Sequence, residues 1–209
     1  PYPYWPDLAS IWNDGTAWKT GHWVQGKLGI SSLAAILVDL CKRSGLVEND
    51  LQVSQVTDQV EGYVVHNQIT IRDAIEILQQ GYFFDAVESD GMLKFISRGG
   101  AVDMEILESG LVPDMESDNE NLFRIARAQE IELPKRVNVV YLNRLYNYQN
   151  ATQYSQREMT ESRQILTLDM PIVFSDQVAK TIADVTLFTE WVGRTQYEFD
   201  LPAKYLQVE

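Results

Sequence analysis

Cysteine is almost missing from this chain. Cys41 stands alone among 209 residues, so no disulfide can close within it and no thiol cluster is available to a metal. It lies in an apolar stretch with helical spacing, where a buried structural thiol is a plainer reading than a nucleophile. Histidine is nearly as scarce: His22 and His66 have no partner at HxxxH or CxxC spacing, so a catalytic metal or a Ser-His-Asp triad would have to be assembled from distant residues. Basic residues number 17 against 30 acidic ones, a formal charge of −13, and both halves of the chain share the deficit. No segment is basic enough to grip phosphates, which disfavours specific nucleic-acid binding. Long apolar runs are absent too, and none approaches the roughly 18–20 residues of a membrane span. The glycines of GHWVQGKLG lack both the Lys-Ser/Thr ending of a phosphate loop and the strand-to-helix setting of a dinucleotide fingerprint. These absences leave no cofactor and no metal to expect.

What remains is enough for a core. Hydrophobic residues make up 45% of the chain and charged ones 22%, so wholesale disorder is disfavoured, and the length admits one elaborate domain or two small packed ones. The first residues, PYPYWPDL, have neither an initiator methionine nor a signal-peptide pattern, so the sequence reads as a piece of a longer polypeptide. Four of the five tryptophans fall in the first thirty residues among frequent Pro and Gly, which predicts an extended aromatic arm over 1–26 with turns at Asn13-Asp14-Gly15 and Thr20-Gly21. Trp12, Trp18 and Trp23 need somewhere to bury, either on their own domain or on a neighbouring subunit.

Helical signals follow. Residues 31–45 have a serine cap, apolar positions Leu33, Ile36, Leu37, Leu40 and Cys41, basic residues in the last turn and Gly45 as a stop. A second helix is expected over 70–81, from Thr70 as cap to Gly81 as terminator, with GYVVH before it as a short strand. YFFDAVESDGMLKFISR, residues 82–98, reads as a β-hairpin turning at Asp90-Gly91, with Phe84, Leu93 and Phe95 helping to cover the helix. The acidic stretch DMESDNE marks a solvated linker over 111–124. Beyond it RVNVVYLN, LYNYQNATQYSQR and SRQILTLDM suggest three strands. A helix over 175–192 is expected to lay Val178, Ile182, Val185, Phe188 and Val192 on a sheet, with Gly193 as its stop. A last strand, TQYEFDLPAK, runs until Pro202 breaks it. The fold class is α+β: a small helix-plus-hairpin domain packed with a β-rich domain that carries one long helix.

Two kinds of chemistry are worth weighing. Paired carboxylates could serve a glycosidase, which needs two carboxyl groups about 5–10 Å apart with their pKa values pushed in opposite directions. Glu88 with Asp90, or Asp103 with Glu105, could converge, although in a chain with thirty acids a solvated face explains such pairs as well. Tyr141, Tyr146, Tyr148 and Tyr154 lie among Asn, Gln and Thr in strands poor in aliphatic residues. Such strands present a face to water or to a partner, and tyrosine favours interfaces.

Taken in order, TGHWVQGKLG, SSLAAILVDLCKRSGL, GYVVHNQITIRDAIEILQQGYFFDAVESDGMLKFISRG, LPKRVNVVYLN and FDLPAKYLQVE resemble the baseplate-hub module of phage tail and gene transfer agent proteins, from about Thr20 to Glu209. The resemblance implies a non-enzymatic structural protein of the virion tail tip, assembled in the host bacterial cytoplasm. In such proteins β-rich tube-like domains of three chains form a pseudo-sixfold ring, decorated by an α+β domain. Carried onto this sequence, 27–110 would be the decoration, 111–124 an acidic linker and 125–209 the tube-like hub domain. Partners would be two further copies in a homotrimer and the distal ring-shaped tail and tube proteins. The family supplies no catalytic residues for this region. An acidic wall would also suit a lumen through which DNA passes, since it repels phosphates instead of holding them. The expected contact surfaces are Trp12, Trp18 and Trp23 of the arm and Tyr141, Tyr146, Tyr148 and Tyr154 of the strands. The rival readings are a carbohydrate-active or cell-wall-degrading tail enzyme, and a receptor- or glycan-binding module whose arm tryptophans stack on sugars.

Overall fold

The computed structural model describes the backbone of residues 22–23 and 26–27, together with residues 30–65, 69–100, 104–112 and 122–205. Trp12 and Trp18 lie outside the described residues, as do His66, Asp103 and most of the acidic linker. The chain divides into two compact units. The first is Pro1–Arg98 with Tyr141–Asn150 and Met170–Ser175, and the second is Gly99–Val140 with Ala151–Asp169 and Asp176–Glu209. The fold is α+β, with helices and sheets mixed in sequence.

The first unit opens with short strands, β1 (His22–Trp23) and β2 (Gly26–Lys27), paired antiparallel. Strand β3 (Ser31–Ser32) leads directly into helix α1 (Leu33–Arg43), where the Ser32 hydroxyl accepts the Ala35 N–H at 3.3 Å. Ser32 thereby fills one of the N–H groups that a helix start leaves open. The helix stops where its sequence says. Gly45 takes φ +99, and the N–H groups of Gly45 and Leu46 return to the carbonyls of Lys42 and Cys41, a Schellman ending that a side chain at Gly45 would strain. Leu33, Leu37 and Cys41 form its buried face. Burial pushes the Cys41 thiol up, so it stays protonated and unreactive.

Two short strands follow, β4 (Leu51–Gln52) and β5 (Gln59–Val60), the latter antiparallel to β3. Neither had a sequence signal, because two-residue strands are too short to show alternation. GYVVH is less than a strand: Tyr63 makes one isolated bridge to Ile172. Its hydroxyl donates to the Ala74 carbonyl at 2.9 Å, and burial pushes the phenol up to about 12.

Helix α2 (Ile71–Tyr82) begins with a capping box in which Thr70 and Asp73 satisfy each other's backbone N–H groups. It buries Ala74, Ile75 and Leu78, as its periodicity predicts. Gly81, expected to end it, does not. The helix runs on to Tyr82, and Phe83 supplies the left-handed terminus at φ +51. Gly81 matters for packing instead. A Cβ there would meet Phe174 Cζ at 3.1 Å and Ile172 Cδ1 at 3.3 Å, so the missing side chain is what allows this close approach.

The hairpin is present in the expected register. β6 (Phe84–Ser89) and β7 (Met92–Ser97) pair antiparallel around Asp90 (φ +55) and Gly91 (φ +71), the two positive-φ residues of a type I′ turn. Phe84 and Phe95 are fully buried with ring centroids 6.0 Å apart, and Leu93 is half-buried. β4 adds a parallel third strand along β7.

In the second unit β8 (Arg124–Arg127) pairs antiparallel with the closing strand, β12 (Thr195–Glu198). RIAR carries no alternation and gives no strand signal by itself. β9 (Pro134–Asn143), β10 (Gln149–Gln156) and β11 (Gln164–Phe174) form a three-stranded sheet in the order β10-β9-β11, and their residues are divided between the two units. Along β9 the side chains of Val137, Val139, Tyr141 and Asn143 are buried at the period of two that a strand imposes. The buried Ser162 hydroxyl donates to the Leu133 carbonyl and accepts the Gln164 N–H, which pins the approach to β11 against the start of β9.

Helix α3 (Asp176–Val192) corrects the expected face. Ala179, Ile182, Ala183, Leu187 and Trp191 are buried, whereas Val178, Val185, Phe188 and Val192 are exposed. Only Ile182 belongs to both sets. The Trp191 indole N–H donates to the Pro134 carbonyl at 2.9 Å and fixes the ring at the inner end of the helix. Gly193 follows the last helical residue as expected, its N–H returning to Thr189.

Candidate interaction surfaces

The β9–β10 turn is a small rigid structure built by one side chain. Asn143, buried at the end of β9, accepts the Leu145 N–H on its Oδ1 at 2.8 Å, and its carbonyl accepts the Tyr148 N–H at 2.9 Å. Asn147 and Tyr148 both take left-handed backbone, φ +54 and +59. Asparagine tolerates this readily, but for a bulky tyrosine it is a strained choice held in place by its surroundings. The result is a tip on which Leu145 is 87% exposed, with Tyr146 and Tyr148 more than half exposed beside it. Residues 144–146 form a short 3-10 turn and β10 begins only at Gln149, so Tyr146 and Tyr148 sit on a turn and not on the strand expected from the sequence.

The expected tyrosines therefore separate. Tyr141 is 1% exposed, placed inward by the register of β9, and offers no surface for a neighbour. Tyr146 and Tyr148 belong to the tip in the first unit, and Tyr154, on β10, belongs to the second. Tyr154 is half exposed. The Arg136 guanidinium lies 3.8 Å from its ring centroid, and its carbonyl accepts a hydrogen bond from Lys180 at 2.8 Å. Of the arm, Trp23 contributes backbone to β1, while its side chain, like Trp12 and Trp18, lies outside the described residues.

Sequence reasoning missed two surfaces in the second unit. One is the outer stripe of α3, where Phe188 is 69% exposed and Val185 and Val192 accompany it. The other is the β8–β12 ribbon, on which Ile125 pairs with Tyr197 and Phe123 meets the Tyr197 ring edge-on at 6.1 Å; all three are exposed. A two-stranded ribbon is marginal by itself, and one that keeps an apolar face in water has the character of a surface made to be covered. The signal for α3 was present, since its bulky apolar residues do form a stripe. It was assigned to the wrong neighbour.

The carboxylates give no acid/base geometry. Arg98 grips Asp85 with two hydrogen bonds, 2.7 and 2.9 Å, and that contact holds the carboxyl below its ordinary range. Lys94 does the same to Asp90 at 2.7 Å. A general acid needs the opposite shift. Glu88 and Glu105 are exposed. Burial pushes Asp184 up, but hydrogen bonds from Lys180 and Ser155 overcome it and leave the group lowered. Among the described residues no group of three or more His, Cys, Asp or Glu side chains is placed to hold a metal ion, and no helix is long and apolar enough to cross a membrane. A cavity of 570 Å³ lined by Ile131, Glu161, Arg163 and Gln164 is wide open and brings one acid beside one base, without a convergent pair.

Comparison with known proteins gives this geometry a setting. No curated protein sequence matches the chain. Among solved structures, a chain of the "Virion of native gene transfer agent (GTA) particle" matches with a TM-score of 0.79 at 24% identity, over 94% of this chain and 44% of that one. The present chain thus spans less than half the length of that relative in fold. The model of the family described as "Putative phage tail protein" matches residues 70–209, more than half of the sequence. The chain belongs to this phage tail protein family.

Proposed function

We propose that the chain is a structural, non-enzymatic part of a tail-tip hub, working by self-association in a homotrimer and by docking to ring-shaped tail and tube neighbours. The observation that carries this reading is the family match over 70–209, with the fold similarity to a chain of a gene transfer agent virion beside it. The surfaces support it. The β9–β10 tip, the outer stripe of α3 and the β8–β12 ribbon place large apolar side chains in water, and stable protein interfaces use such groups as anchors. In this reading residues 27–110 decorate the ring and 125–209 build it. The arm tryptophans Trp12, Trp18 and Trp23, with Tyr146, Tyr148 and Tyr154, are contact residues. The net charge of −13 fits a wall along which DNA passes without sticking.

Sedimentation of the full-length protein tests the self-association. A concentration-dependent trimer, with tail particles that lose their tips when the gene is deleted, is the expected result. A monomer at every concentration, with normal tips in the deletion, would overturn it.

A further inference from the structure

The second unit contains an arginine cluster that the chain's own acids leave alone. Trp191 is held by its hydrogen bond to Pro134, and two guanidinium groups converge on its ring: Arg157 at 4.1 Å and Arg194 at 5.9 Å from the centroid. Arg127 stands next to them on the ribbon, opposite Thr195, while the Ala128 N–H donates to the Arg194 carbonyl at 2.8 Å. Among the described residues no carboxylate forms an ion pair with any of the three, although Glu158 and Glu190 are chain neighbours of Arg157 and Trp191. The indole attracts each guanidinium, but the two repel one another, and a nearby anion would relieve that repulsion; in a chain with 30 acids and 17 bases such a cluster without an acidic partner is conspicuous.

We infer that this cluster is a docking site for an acidic peptide segment, and that its occupant is residues 114–120, DMESDNE, of a second copy of the chain. The inference rests on the self-association proposed above. Charge complementarity selects the occupant: the segment carries four carboxylates in seven residues and no base. Planar guanidinium groups fork onto carboxylates, and a stacked arginine is already oriented to do so. Placement points the same way. Val112 is bridged to Asp200 and Phe123 contacts Tyr197, so the described residues that flank the segment stand at one end of the ribbon, while Arg127 and Arg194 of the same chain stand at the other. Nucleic-acid phosphate is the other polyanion to consider, but the overall charge repels it.

The test uses the full chain and labelled DMESDNE peptide, with NMQSNNQ peptide, inorganic phosphate and a short DNA duplex as parallel probes. Fluorescence anisotropy should show binding of the acidic peptide, weakened at least about tenfold in the double variant Arg157→Glu, Arg194→Glu and several-fold in the milder Arg157→Gln, Arg194→Gln. Circular dichroism establishes that each variant is folded. Crosslinking between copies should place 114–120 of one chain on the cluster of another. Equal binding of the neutral peptide, preference for the duplex or phosphate, crosslinks confined within single chains, or unchanged peptide affinity in folded variants would each overturn the proposal. Sedimentation separates the two levels. A trimer indifferent to both double variants sinks this docking and leaves the hub reading standing, whereas a permanent monomer overturns the hub reading and, with it, a second copy as the occupant, even if the free peptide binds.

Discussion

The two units use their apolar residues in opposite ways. In the first, α1 and α2 bury the stripes that their periodicity announces, and the paired rings of Phe84 and Phe95 are sealed from water. In the second, α3 turns two alanines, two aliphatic side chains and one tryptophan inward and leaves Val185, Phe188 and Val192 outside, while the β8–β12 ribbon exposes Ile125 and Tyr197. The helices and the hairpin core of the first unit are closed as folded, and the β9–β10 tip, with Leu145, Tyr146 and Tyr148, is what that unit leaves in water. The second unit leaves a helix stripe and a strand ribbon exposed, the kind of apolar surface that interfaces cover.

The largest effects should come from the sealed core. Phe84→Ala is expected to cost about 3–5 kcal/mol, because the ring is wholly buried and its partner Phe95 cannot fill the space. Urea unfolding measures it, and a loss below about 1 kcal/mol would erase the contrast between the units. On α3 a pair of changes sharpens the same contrast within one helix. Ile182→Ala should cost about 2–5 kcal/mol, whereas Phe188→Ser should shift the stability of the single chain by no more than about 0.5 kcal/mol and act on self-association instead. If Phe188→Ser unfolds the chain as Ile182→Ala does, the outer stripe is not a reserve.

Gly81 marks the next size of effect. Gly81→Val pushes two methyl groups toward Phe174 and Ile172, where even a Cβ has 3.1 and 3.3 Å, and should cost about 1–3 kcal/mol by overpacking. A stabilised protein would mean that α2 moves away freely.

The same residues show what a sequence can and cannot disclose. Asp90-Gly91 and the caps Ser32, Gly45 and Thr70 were legible because each is decided within a few residues by backbone sterics and local hydrogen bonds. Gly81 was misread because its reason lies in Phe174, more than ninety residues away. The inner face of α3 was hidden by size: Ala179 and Ala183 pack closely yet carry little hydropathy, so the bulkier Val185, Phe188 and Val192 dominated the pattern. Tyr141 was judged by residue type, whereas strand register decided its direction. β8 could not be seen at all, because RIAR becomes a strand through β12 alone. Of the tyrosines that residue chemistry singles out, Tyr146 and Tyr148 are the most exposed. The turn that presents them, with Asn143 accepting two local contacts, is a product of the folded chain.

The smallest predicted effect concerns charge in the first unit. Arg98 holds the Asp85 carboxyl below its ordinary range, so the folded pKa lies under the unfolded value of about 3.9. A depressed carboxyl contributes stability that is fully present above the unfolded pKa and lost as pH falls through the folded one. Both partners are about half exposed, at 49%, and solvent screening keeps the contribution below about 1 kcal/mol. Asp85→Asn should therefore lower Tm slightly at about pH 6–7, and the difference from the parent should close as the pH falls below the unfolded value of about 3.9 and through the lowered folded one. Thermal melts across that range give the answer. A gap that stays constant with pH would show that Asp85 acts through its shape and hydrogen bonds and not through its charge. A gap that closes would show that the charge of Asp85 stabilises its own hairpin, in contrast to the second unit, where no carboxylate among the described residues forms an ion pair with Arg127, Arg157 or Arg194.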